Sequence, residues 1–370
     1  MVNDKISTAN LVFYRTYSRF LKNGNRESWT EVCDRTINAL AKLGKLSENE
    51  RQLIYKMQSE LKTLTSGRWL WVGGSEWLDK PENVYGAYNC TSTNLDDWDA
   101  FGLIMNLAMQ GCGTGAIIES KYIDKLPIIR NKLNVSIRGE IGSIPKDKRK
   151  ENTYYTIDDH ELIINVGDSR QGWVRSYHTL LELSSNSNLI KGVEIIVDVS
   201  NVRPSGELLK GFGGVANPIK LEEMFIKCAN VLNKAVGRRL NSVECCLLLD
   251  IAASAVVAGN IRRSAGIRQF SSDDNNAAIA KDNLWNQDEN GNWRIDPERD
   301  ALRMANHTRV FHSKPTLEEC IHAVTKQYYS GEGAIQWAGE AVARSNRDIL
   351  ENDSIKLDFL TAYGKQNDDE

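Results

Sequence analysis

The sequence has few of the features that place a protein in a special class. It contains no apolar run near the roughly 18 residues of a membrane-spanning helix. Its first twenty residues do not show the charged and then apolar segments of a secretion signal. Basic and acidic residues nearly cancel, 46 against 49, so the chain has no overall positive field with which to hold nucleic acid. These absences predict a cytoplasmic protein that binds neither membranes nor nucleic acid directly.

Cysteine is also scarce, with seven residues among 370 and no C-x-x-C pair. An odd, scattered set of this kind is not a disulfide framework, and it does not suit a thiolate zinc site. The five histidines form no H-x-x-x-H pattern, so we expect no metal site on this chain. Any cysteine with a function is expected to act singly, through redox or radical chemistry.

What the sequence does contain is the pattern of an α/β protein. A strand candidate at 85–95 is followed by an apolar helix pattern at 98–110, a glycine-rich turn at 111–115 and a further strand. The continuous apolar segment 193–199 is typical of strands buried in parallel sheets. Further helices are predicted at 220–236, 242–258, 317–329 and 338–350.

The first ninety residues are mostly helical in pattern. Ser28 and Glu31 have the spacing of a capping box and open one helical segment. A second helical pattern covers 48–64. The aromatic and β-branched run at 66–74, which glycines close, predicts a buried strand or an extended entry to one.

Three other regions have a different character. A basic cluster at 146–150 is either a solvated loop or a phosphate contact. It lies among short strands predicted at 135–138, 154–157 and 162–164. The Asn290-Gly291 pair predicts a surface hairpin. The last twenty residues, 351–370, are acidic without a clean period and predict a frayed terminus.

The glycine clusters and the thiols allow more than one interpretation. Glycines at 111, 113 and 115, at 206 and 211, and at 213 and 214 suit either tight turns or contact of backbone N–H groups with phosphate. Neither a dinucleotide fingerprint nor a Walker A motif is present. A single cysteine such as Cys90 is either a small buried apolar residue or a functional thiol. These residues alone indicate an α/β protein that binds a nucleotide or a phosphate.

Several motifs, in one order, resemble those of the class II ribonucleotide reductases of the monomeric, adenosylcobalamin-dependent ribonucleoside-triphosphate type. The segment DVSNVRPSGELLKGFGG at 198–214 shows the strongest resemblance, and AVVAGNIRRSA at 255–265 shows the next strongest. The remaining motifs are YRTYSRFL at 14–21, SGRWLWVGG at 66–74, NC at 89–90, GCGTG at 111–115 and DSRQGW at 168–173. The resemblance extends from about residue 12 to about residue 350.

The resemblance implies an α/β fold in which an N-terminal helical region, 1–64, precedes the first half of a ten-stranded α/β barrel at 65–350. An insertion at about 120–195 is expected to help build an effector pocket, and residues 351–370 are expected to form an acidic tail. The apolar strand at 193–199 suits the wall of such a barrel.

The resemblance also implies reduction of a ribonucleotide at its 2′-carbon, with adenosylcobalamin as the source of the radical. Cys90 matches one member of the reducing cysteine pair, which thioredoxin or a similar dithiol restores. The positions that line the substrate are matched by Ser66, Asn89, Cys90 and Gly113. The specificity loop, which binds a deoxynucleoside triphosphate effector, is matched by Arg203, Ser205, Gly206, Lys210 and Gly211. Arg262 and Arg263 match a family motif to which we assign no role.

One departure from the family bears on the mechanism. The finger-loop sequence Asn-Pro-Cys-Gly-Glu, whose cysteine carries the radical, is absent, as is a counterpart of the second reducing cysteine. Cys245 and Cys246 lie in an apolar helix pattern and are expected to serve packing. We therefore expect a separate C-terminal reductase chain to supply the finger loop. One alternative is a catalytically incomplete nucleotide-binding regulatory module derived from a reductase. Another is a large subunit that works with a separate radical generator instead of cobalamin.

Overall fold

The computed structural model describes residues 8–158, 161–189, 194–209, 215–258, 265–345, 350 and 352–368. The chain forms two compact units, Met1–Asn89 and Cys90–Glu370. The boundary therefore falls inside the Asn-Cys motif, between its two residues.

The first unit is helical. It contains α1 (Thr8–Thr16), α2 (Trp29–Gly44), α3 (Glu48–Ser59), α4 (Gly67–Val72) and a 3₁₀ helix at Pro81–Ala87. The predicted capping box at the start of α2 is confirmed. The Ser28 hydroxyl accepts a hydrogen bond from the Glu31 amide, and the Glu31 carboxylate accepts one from the Ser28 amide at 2.7 Å. Both ends of this local motif satisfy donors that a helix start leaves unpaired.

The segment 66–74 forms the helix α4, so the predicted strand is wrong. Ser66 caps its first turn through the side-chain hydroxyl. At its other end, the Arg35 guanidinium donates hydrogen bonds to the carbonyls of Leu70 and Gly73. The last carbonyls of a helix need such partners, and here they come from a residue 35 positions before Leu70. A local pattern of aromatic and β-branched residues does not reveal that contact.

The second unit alternates strands and helices. Its strands are β1 (Cys90–Asn94), β2 (Gly113–Ile117), β3 (Asn134–Arg138), β4 (Tyr154–Asp158), β5 (Glu161–Asn165), β6 (Glu194–Asp198), β7 (Gly266–Ser271), β8 (Trp285–Gln287), β9 (Trp293–Ile295), β10 (Asn306–Phe311) and β11 (Ala334–Trp337). Its helices are α5 (Trp98–Met109), α6 (Ser120–Ile123), α7 (Arg170–Ser185), α8 (Leu221–Lys234), α9 (Ser242–Ala258), α10 (Asn275–Ile279), α11 (Leu317–Ser330), α12 (Ala338–Ser345) and α13 (Asp353–Asp368), with a 3₁₀ helix at Asp300–Met304. Within the described ranges, no helix combines the length and the apolar character that crossing a bilayer requires.

Five parallel strands form the main sheet, in the order β1-β2-β7-β10-β11. Every neighbouring pair in this order is parallel. The predicted parallel α/β architecture is confirmed, and the number of strands is that of one half of the expected barrel. Helices connect the parallel strands, as a parallel connection requires.

A second sheet corrects the expected position of the apolar strand at 193–199. Its strand β6 pairs in parallel with β3 and β5, and β4 completes the sheet as an antiparallel edge. The apolar strand therefore lies in the interior of this separate four-stranded sheet and not in the main sheet. A continuous apolar sequence indicates that a strand is buried on both faces, but it does not indicate which sheet the strand joins.

The main apolar core of the second unit contains residues of both sheets and of helices α5, α7, α8 and α9. The predicted buried helix is confirmed in α5, whose Phe101 and Ile104 are inaccessible. The fully buried Tyr177 of α7 donates its hydroxyl to the Leu248 carbonyl at 3.2 Å. This bond satisfies a polar group that would be costly to bury unpaired.

One ion pair lies wholly inside this core. Arg268 of β7 and Asp250 of α9 are both fully inaccessible, with the Arg268 Nη2 atom 2.6 Å from the Asp250 Oδ1 atom. Arg268 also donates to the Thr114 carbonyl of β2 at 3.1 Å. Burial raises the pKa of Asp250 to about 6, although the charge of Arg268 acts to lower it. The pair thus ties one helix to two neighbouring strands of the main sheet.

Two predictions for the surface have different outcomes. The Asn290-Gly291 hairpin is confirmed, because β8 and β9 pair in antiparallel register around it. The frayed terminus is wrong over the described part of the tail, where α13 forms. The Asn352 carboxamide caps this helix, and Lys356 pairs with Glu340 at 2.6 Å. The cap and the ion pair to the preceding helix stabilise a helix that the acidic composition of the tail does not indicate.

Candidate active site

Cys90 begins the edge strand β1 and lies on the open face of the main sheet. The parallel register pairs Cys90 with Gly113 of β2, and register partners in such a sheet share a face. Cys90 is a free, exposed cysteine. The opposite face is buried, with residues such as Arg268 and Phe270 inaccessible. The thiol is therefore reachable by a ligand that lies on the open face.

The open face is polar but uncharged. Its residues, strand by strand, are Cys90, Ser92 and Asn94; Gly113, Gly115 and Ile117; Ile267, Gln269 and Ser271; Asn306, Thr308 and Val310; Ala334 and Gln336. No Asp, Glu, Lys or Arg is among these strand residues. The face therefore offers hydrogen-bonding groups to a ligand without offering a charge.

Glycine keeps the surface beside Cys90 flat. A Cβ atom at Gly115 would lie 2.8 Å from the Thr91 carbonyl oxygen, so a larger residue would force β1 and β2 apart. Gly113, the register partner of Cys90, also has no side chain. A ligand can therefore approach the backbone next to the thiol, as glycine permits at close contacts.

The other six cysteines are less accessible than Cys90. Cys33, Cys112, Cys228, Cys245 and Cys246 are buried, and Cys320 is half-buried. Burial raises the pKa of Cys228, Cys245 and Cys246, which keeps these groups as unreactive thiols. The predicted packing role of Cys245 and Cys246 is confirmed.

In the first unit, the predicted substrate-lining residues Ser66 and Asn89 each have a local partner. The Ser66 hydroxyl accepts from the Trp69 amide at 3.2 Å. The Asn89 carboxamide oxygen accepts from the Nε atom of the buried Arg68 at 2.7 Å. Arg68 thereby fixes the side chain of the residue that precedes Cys90. The motif gave no signal for this role of Arg68.

An ion-pair cluster holds the start of the predicted specificity loop. The Asp168 carboxylate accepts from the Arg203 amide at 3.1 Å and from its Nε atom at 2.8 Å. Arg149 lies 3.6 Å from Asp168 and 2.7 Å from Glu207. The hydrogen bond from Arg149 lowers the pKa of Glu207. Two cations and two anions balance here, so the loop start is held without a bound ligand.

The basic cluster at 146–150 divides between surface and interior. Lys146 and Lys148 are exposed, as in a solvated loop. Lys150 hydrogen bonds to the Tyr154 hydroxyl at 3.2 Å and lies over the same ring. Arg149, only 7% exposed, instead belongs to the ion-pair cluster. Neither interpretation of the cluster, as a solvated loop or as a phosphate contact, anticipated this.

The loop after Arg203 folds back on itself. The Gly206 amide donates to the Ala216 carbonyl at 2.9 Å, and the Ala216 amide donates to the Glu207 carbonyl at 2.7 Å. Gly206 has a φ of +89°, where glycine is favoured. The Ser205 hydroxyl pairs with the Asn217 carboxamide at 2.9 Å. The Gly206 amide is therefore occupied within the loop. Several residues singled out from the sequence lie outside the described ranges: Lys210, Gly211, Gly213, Gly214, Arg262 and Arg263.

Replacement of Asp168 by asparagine is expected to loosen this loop. A neutral carboxamide cannot balance two buried guanidinium groups, and removing one partner of a buried pair costs about 3–5 kcal/mol. We expect amide hydrogen exchange at Gly206 and Ala216 to accelerate by about tenfold or more. The matched control is Asp147→Asn, which should leave exchange unchanged, because Asp147 is exposed and forms no ion pair with any residue that the structure describes. Equal exchange in wild type and Asp168→Asn would contradict the assigned role.

Among the charged residues that hold the site, Arg203 and the basic cluster that contains Arg149 were singled out from the sequence, whereas Asp168, Asp250 and Arg268 were given no role of their own. Asp250 is the only charged residue in a long apolar helix segment, CCLLLDIAA, and such a residue must find a partner in the core. Asp168 opens one of the family motifs. Arg268 gave no local signal, and the basic cluster did not reveal the ion pairs of Arg149, because the partners of both arginines are distant along the chain. In the part of the chain that the structure describes, no three metal-ligating side chains come together.

Family comparisons identify two regions of the chain. Residues 125–232 match the model of the B12-dependent ribonucleotide reductase insertion domain. Residues 5–75 match the model of the ribonucleotide reductase alpha domain. The first region includes the ion-pair cluster and the second sheet, and the second region includes α1 to α4.

Comparisons with individual curated proteins and solved structures agree with these matches. The adenosylcobalamin-dependent ribonucleoside-triphosphate reductase of Lactobacillus acidophilus is 30% identical over 311 aligned residues, covering 71% of this chain and 41% of the relative. The enzyme of the same name from Lactobacillus helveticus is 28% identical, with the same coverage. A crystal structure of a B12-dependent (class II) ribonucleotide reductase has the same fold, with a TM-score of 0.68 at 22% identity over 86% of this chain and 47% of that one. The chain thus spans about two fifths of the length of these curated relatives.

Proposed function

Because the chain belongs to the B12-dependent ribonucleotide reductase family, we propose that it forms the N-terminal portion of an enzyme that reduces ribonucleotides to 2′-deoxyribonucleotides. The curated relatives are named as ribonucleoside-triphosphate reductases, and we propose triphosphates as substrates here. One observation carries the proposal. Cys90 is a free, exposed thiol beside glycine backbone on an uncharged sheet face.

In the proposed reaction, Cys90 and a second cysteine are oxidised to a disulfide. The 2′-hydroxyl group of the ribonucleotide leaves as water, so two electrons and two protons pass from the thiols to the substrate. A protein dithiol of the thioredoxin type then reduces the disulfide. Disulfide formation needs Cα atoms about 4.4–6.8 Å apart. The second thiol must therefore approach the open face at its Cys90 end.

The residues around Cys90 are proposed to hold the substrate. Gly113 leaves room for the sugar next to the thiol, because it is the register partner of Cys90 and has no side chain. Ser66 and Asn89 are proposed to contact the nucleotide as well. The Arg68 hydrogen bond supports this role for Asn89, since it holds the carboxamide in one orientation.

The loop that begins at Arg203 is proposed to bind the deoxynucleoside triphosphate effector. Its start is fixed by Asp168, so a ligand that binds farther along the loop acts on a segment with one anchored end. Arg203, Ser205, Gly206, Lys210 and Gly211 are the residues proposed for this role. The Gly206 amide must release the Ala216 carbonyl before it can contact a phosphate.

Adenosylcobalamin is the proposed cofactor of the assembled enzyme, and when bound it supplies the radical. This chain fits that chemistry through an accessible thiol on a face that carries no charged side chain. We assign no residue of this chain to holding the cofactor. Its own contribution is to present Cys90, to position the nucleotide and to bind the effector.

The radical-bearing cysteine is proposed to come from residues that this sequence does not contain. Asn-Pro-Cys-Gly-Glu is absent from the 370 residues, and of the six cysteines other than Cys90, five are buried and Cys320 is half-buried. We propose that a separate C-terminal reductase chain supplies it. An unpaired edge at β1 or β11 is a surface that further strands can join.

Reconstitution tests the proposed function. The chain is mixed with a polypeptide that carries the finger loop, and deoxynucleotide formation is assayed with adenosylcobalamin and a dithiol. We expect association and cobalamin-dependent reduction of ribonucleoside triphosphates by the mixture only. Absence of both would exclude the proposal. Deoxynucleotide binding without reduction would favour the regulatory module, and reduction without cobalamin binding would favour a separate radical generator.

A further inference from the structure

A buried arginine of the helical first unit holds the residue that precedes Cys90. Arg68 of α4 is only 4% exposed. Its Nε atom donates to the Oδ1 atom of Asn89 at 2.7 Å, and its Nη1 atom donates to the Gly86 carbonyl at 3.2 Å. Because the guanidinium is charged and shielded from water, its hydrogen bond to a carboxamide is stronger than a bond between neutral groups. Arg68 therefore connects α4 firmly to the end of the segment that leads into β1.

The helix that carries Arg68 is itself fixed at both ends. The Ser66 hydroxyl accepts a hydrogen bond from the Trp69 amide at the start of α4. At the other end, Arg35 donates to carbonyls of the last turn. A helix this short is not stable without such contacts. Arg68 is thus held in one position, and its hydrogen bond holds the Asn89 side chain in turn.

The chemistry of arginine decides how the Asn89 carboxamide is oriented. A guanidinium has donors and no acceptor, so only the Oδ1 atom of the carboxamide can face it, and the Nδ2 group must point away. Asn89 is exposed. Its Nδ2 group has no partner among the residues that the structure describes. The side chain therefore presents N–H donors to a ligand, and its carbonyl acceptor is already occupied.

Adjacency in the chain brings these donors close to the thiol. Asn89 and Cys90 are consecutive and both are exposed, and consecutive Cα atoms are about 3.8 Å apart. A ligand that meets the Cys90 thiol therefore lies within reach of the Asn89 donors. A ribonucleotide offers oxygen acceptors of two kinds, the sugar hydroxyls and the phosphate oxygens. Either kind can accept a hydrogen bond from a carboxamide N–H group.

On these grounds, and resting on the proposed reductase function, we propose that Asn89 donates a hydrogen bond from Nδ2 to an oxygen atom of the substrate and that Arg68 is the positioning residue that orients Asn89 for it. Arg68 is buried and acts only through the carboxamide. The orientation is set before the substrate binds. Binding therefore does not have to fix the rotation of the Asn89 side chain, which would otherwise reduce affinity.

A double-mutant cycle in the reconstituted enzyme tests this assignment. Asn89→Ala removes the donor and should raise KM about three- to tenfold, with kcat changed less. Arg68→Met keeps the donor but frees the carboxamide to rotate, so KM should rise about two- to fivefold. In the Asn89→Ala background, Arg68→Met should add no further rise, because the two residues act as one unit. A purely structural role of Arg68 would instead give the same rise in both backgrounds.

Two conservative variants complete the cycle. Arg68→Lys keeps a cationic donor, so it should recover part of the wild-type KM, and it takes the place of Arg68→Met in the cycle if urea unfolding shows that Arg68→Met is not folded. Asn89→Asp keeps the acceptor for Arg68 and replaces the donors by a carboxylate. A sugar hydroxyl can donate to that carboxylate, which would keep KM below that of Asn89→Ala. A phosphate would be repelled, which would raise KM above that of Asn89→Ala, and added salt would reduce this difference.

A second arginine–asparagine pair of the first unit is the matched control. Arg51 of α3 donates from its Nη1 atom to the Asn38 Oδ1 atom at 3.2 Å, and neither residue has a proposed role in the reaction. Arg51→Met and Asn38→Ala should leave KM unchanged.

The outcomes separate this assignment from the proposed function. If wild type and the controls reduce nucleotides but Asn89→Ala has the KM of wild type, the assignment is wrong and the proposed function stands. The same conclusion follows if the Arg68 variant raises KM equally in both Asn89 backgrounds. If wild type is inactive under every condition, the proposed function fails and this assignment fails with it.

Discussion

Replacement of Cys90 by serine is expected to abolish multiple turnover in the reconstituted enzyme. A hydroxyl cannot form the disulfide that results when a pair of thiols gives up two electrons, so the proposed reducing pair is lost while the shape of the side chain is conserved. Removing a group that takes part in covalent chemistry predicts a fall in kcat of about a thousandfold or more. The measurement is deoxynucleotide formation with excess dithiol.

Effector binding provides the second readout for this variant. Cys90 belongs to the exposed start of β1, whereas the proposed effector loop begins at Arg203. Deoxynucleotide affinity and the urea midpoint should therefore match wild type, because exposed substitutions change stability by no more than about 0.5 kcal/mol. The control is Cys320→Ser, a half-buried thiol on α11, which should retain full turnover. Sustained turnover in Cys90→Ser would overturn the assignment of this thiol.

Replacement of Arg268 by methionine is expected to cause the largest loss of stability. The change leaves the Asp250 carboxylate in the core without its cation, and it removes a hydrogen bond to the Thr114 carbonyl. Breaking a buried ion pair from one side costs about 3–5 kcal/mol. Urea unfolding of wild type and variant measures this difference. The exposed pair of Arg294 with Asp288 is the control, since Arg294→Met should cost no more than about 1 kcal/mol.

The loss in Arg268→Met should depend on pH in a defined direction. Without the cation, the pKa of Asp250 rises above about 6, while the unfolded chain has the ordinary value of 3.8. An acid with a raised pKa in the fold favours folding at low pH, and this contribution is lost as pH rises through the folded pKa. The variant should therefore be less destabilised at pH 5 than at pH 8. The double variant with Asp250→Leu should recover stability at pH 8 and lose the pH dependence.

A loss in Arg268→Met no larger than that in Arg294→Met would show that the buried pair contributes nothing specific. An equal loss at pH 5 and pH 8 would show that removal of the cation does not raise the pKa of Asp250 above its wild-type value. Either result would leave Cys90 and the open face unchanged, because the pair lies on the buried side of the sheet.

The local patterns of the sequence determined the parts of the fold that neighbouring residues control. The capping box at Ser28, the apolar helix α5 and the Asn290-Gly291 hairpin all follow from interactions within a few positions. The family motifs indicated Cys90, because a motif is a run of adjacent residues and can be recognised without the tertiary structure. The burial of Cys245 and Cys246 followed from their apolar helix.

Two of the failures share one physical origin, which is a contact between residues far apart in the chain. The segment 66–74 is a helix because Arg35 binds its last carbonyls. The strand β6 belongs to a second sheet because it pairs in parallel with β3 and β5. In each case the local pattern suited more than one structure, and a distant partner selected among them.

By itself, the sequence determined that this is a parallel α/β chain whose reductase motifs include the candidate thiol Cys90. Only the tertiary structure decided which side chains share a face with that thiol and which charges hold the loop after Arg203. Alternation of residues along a strand shows that the strand has two faces, but it does not show which face is buried. Burial depends on helices and strands from other parts of the chain that pack against the sheet. The open face and the buried Arg268 pair are therefore properties of the assembled sheet.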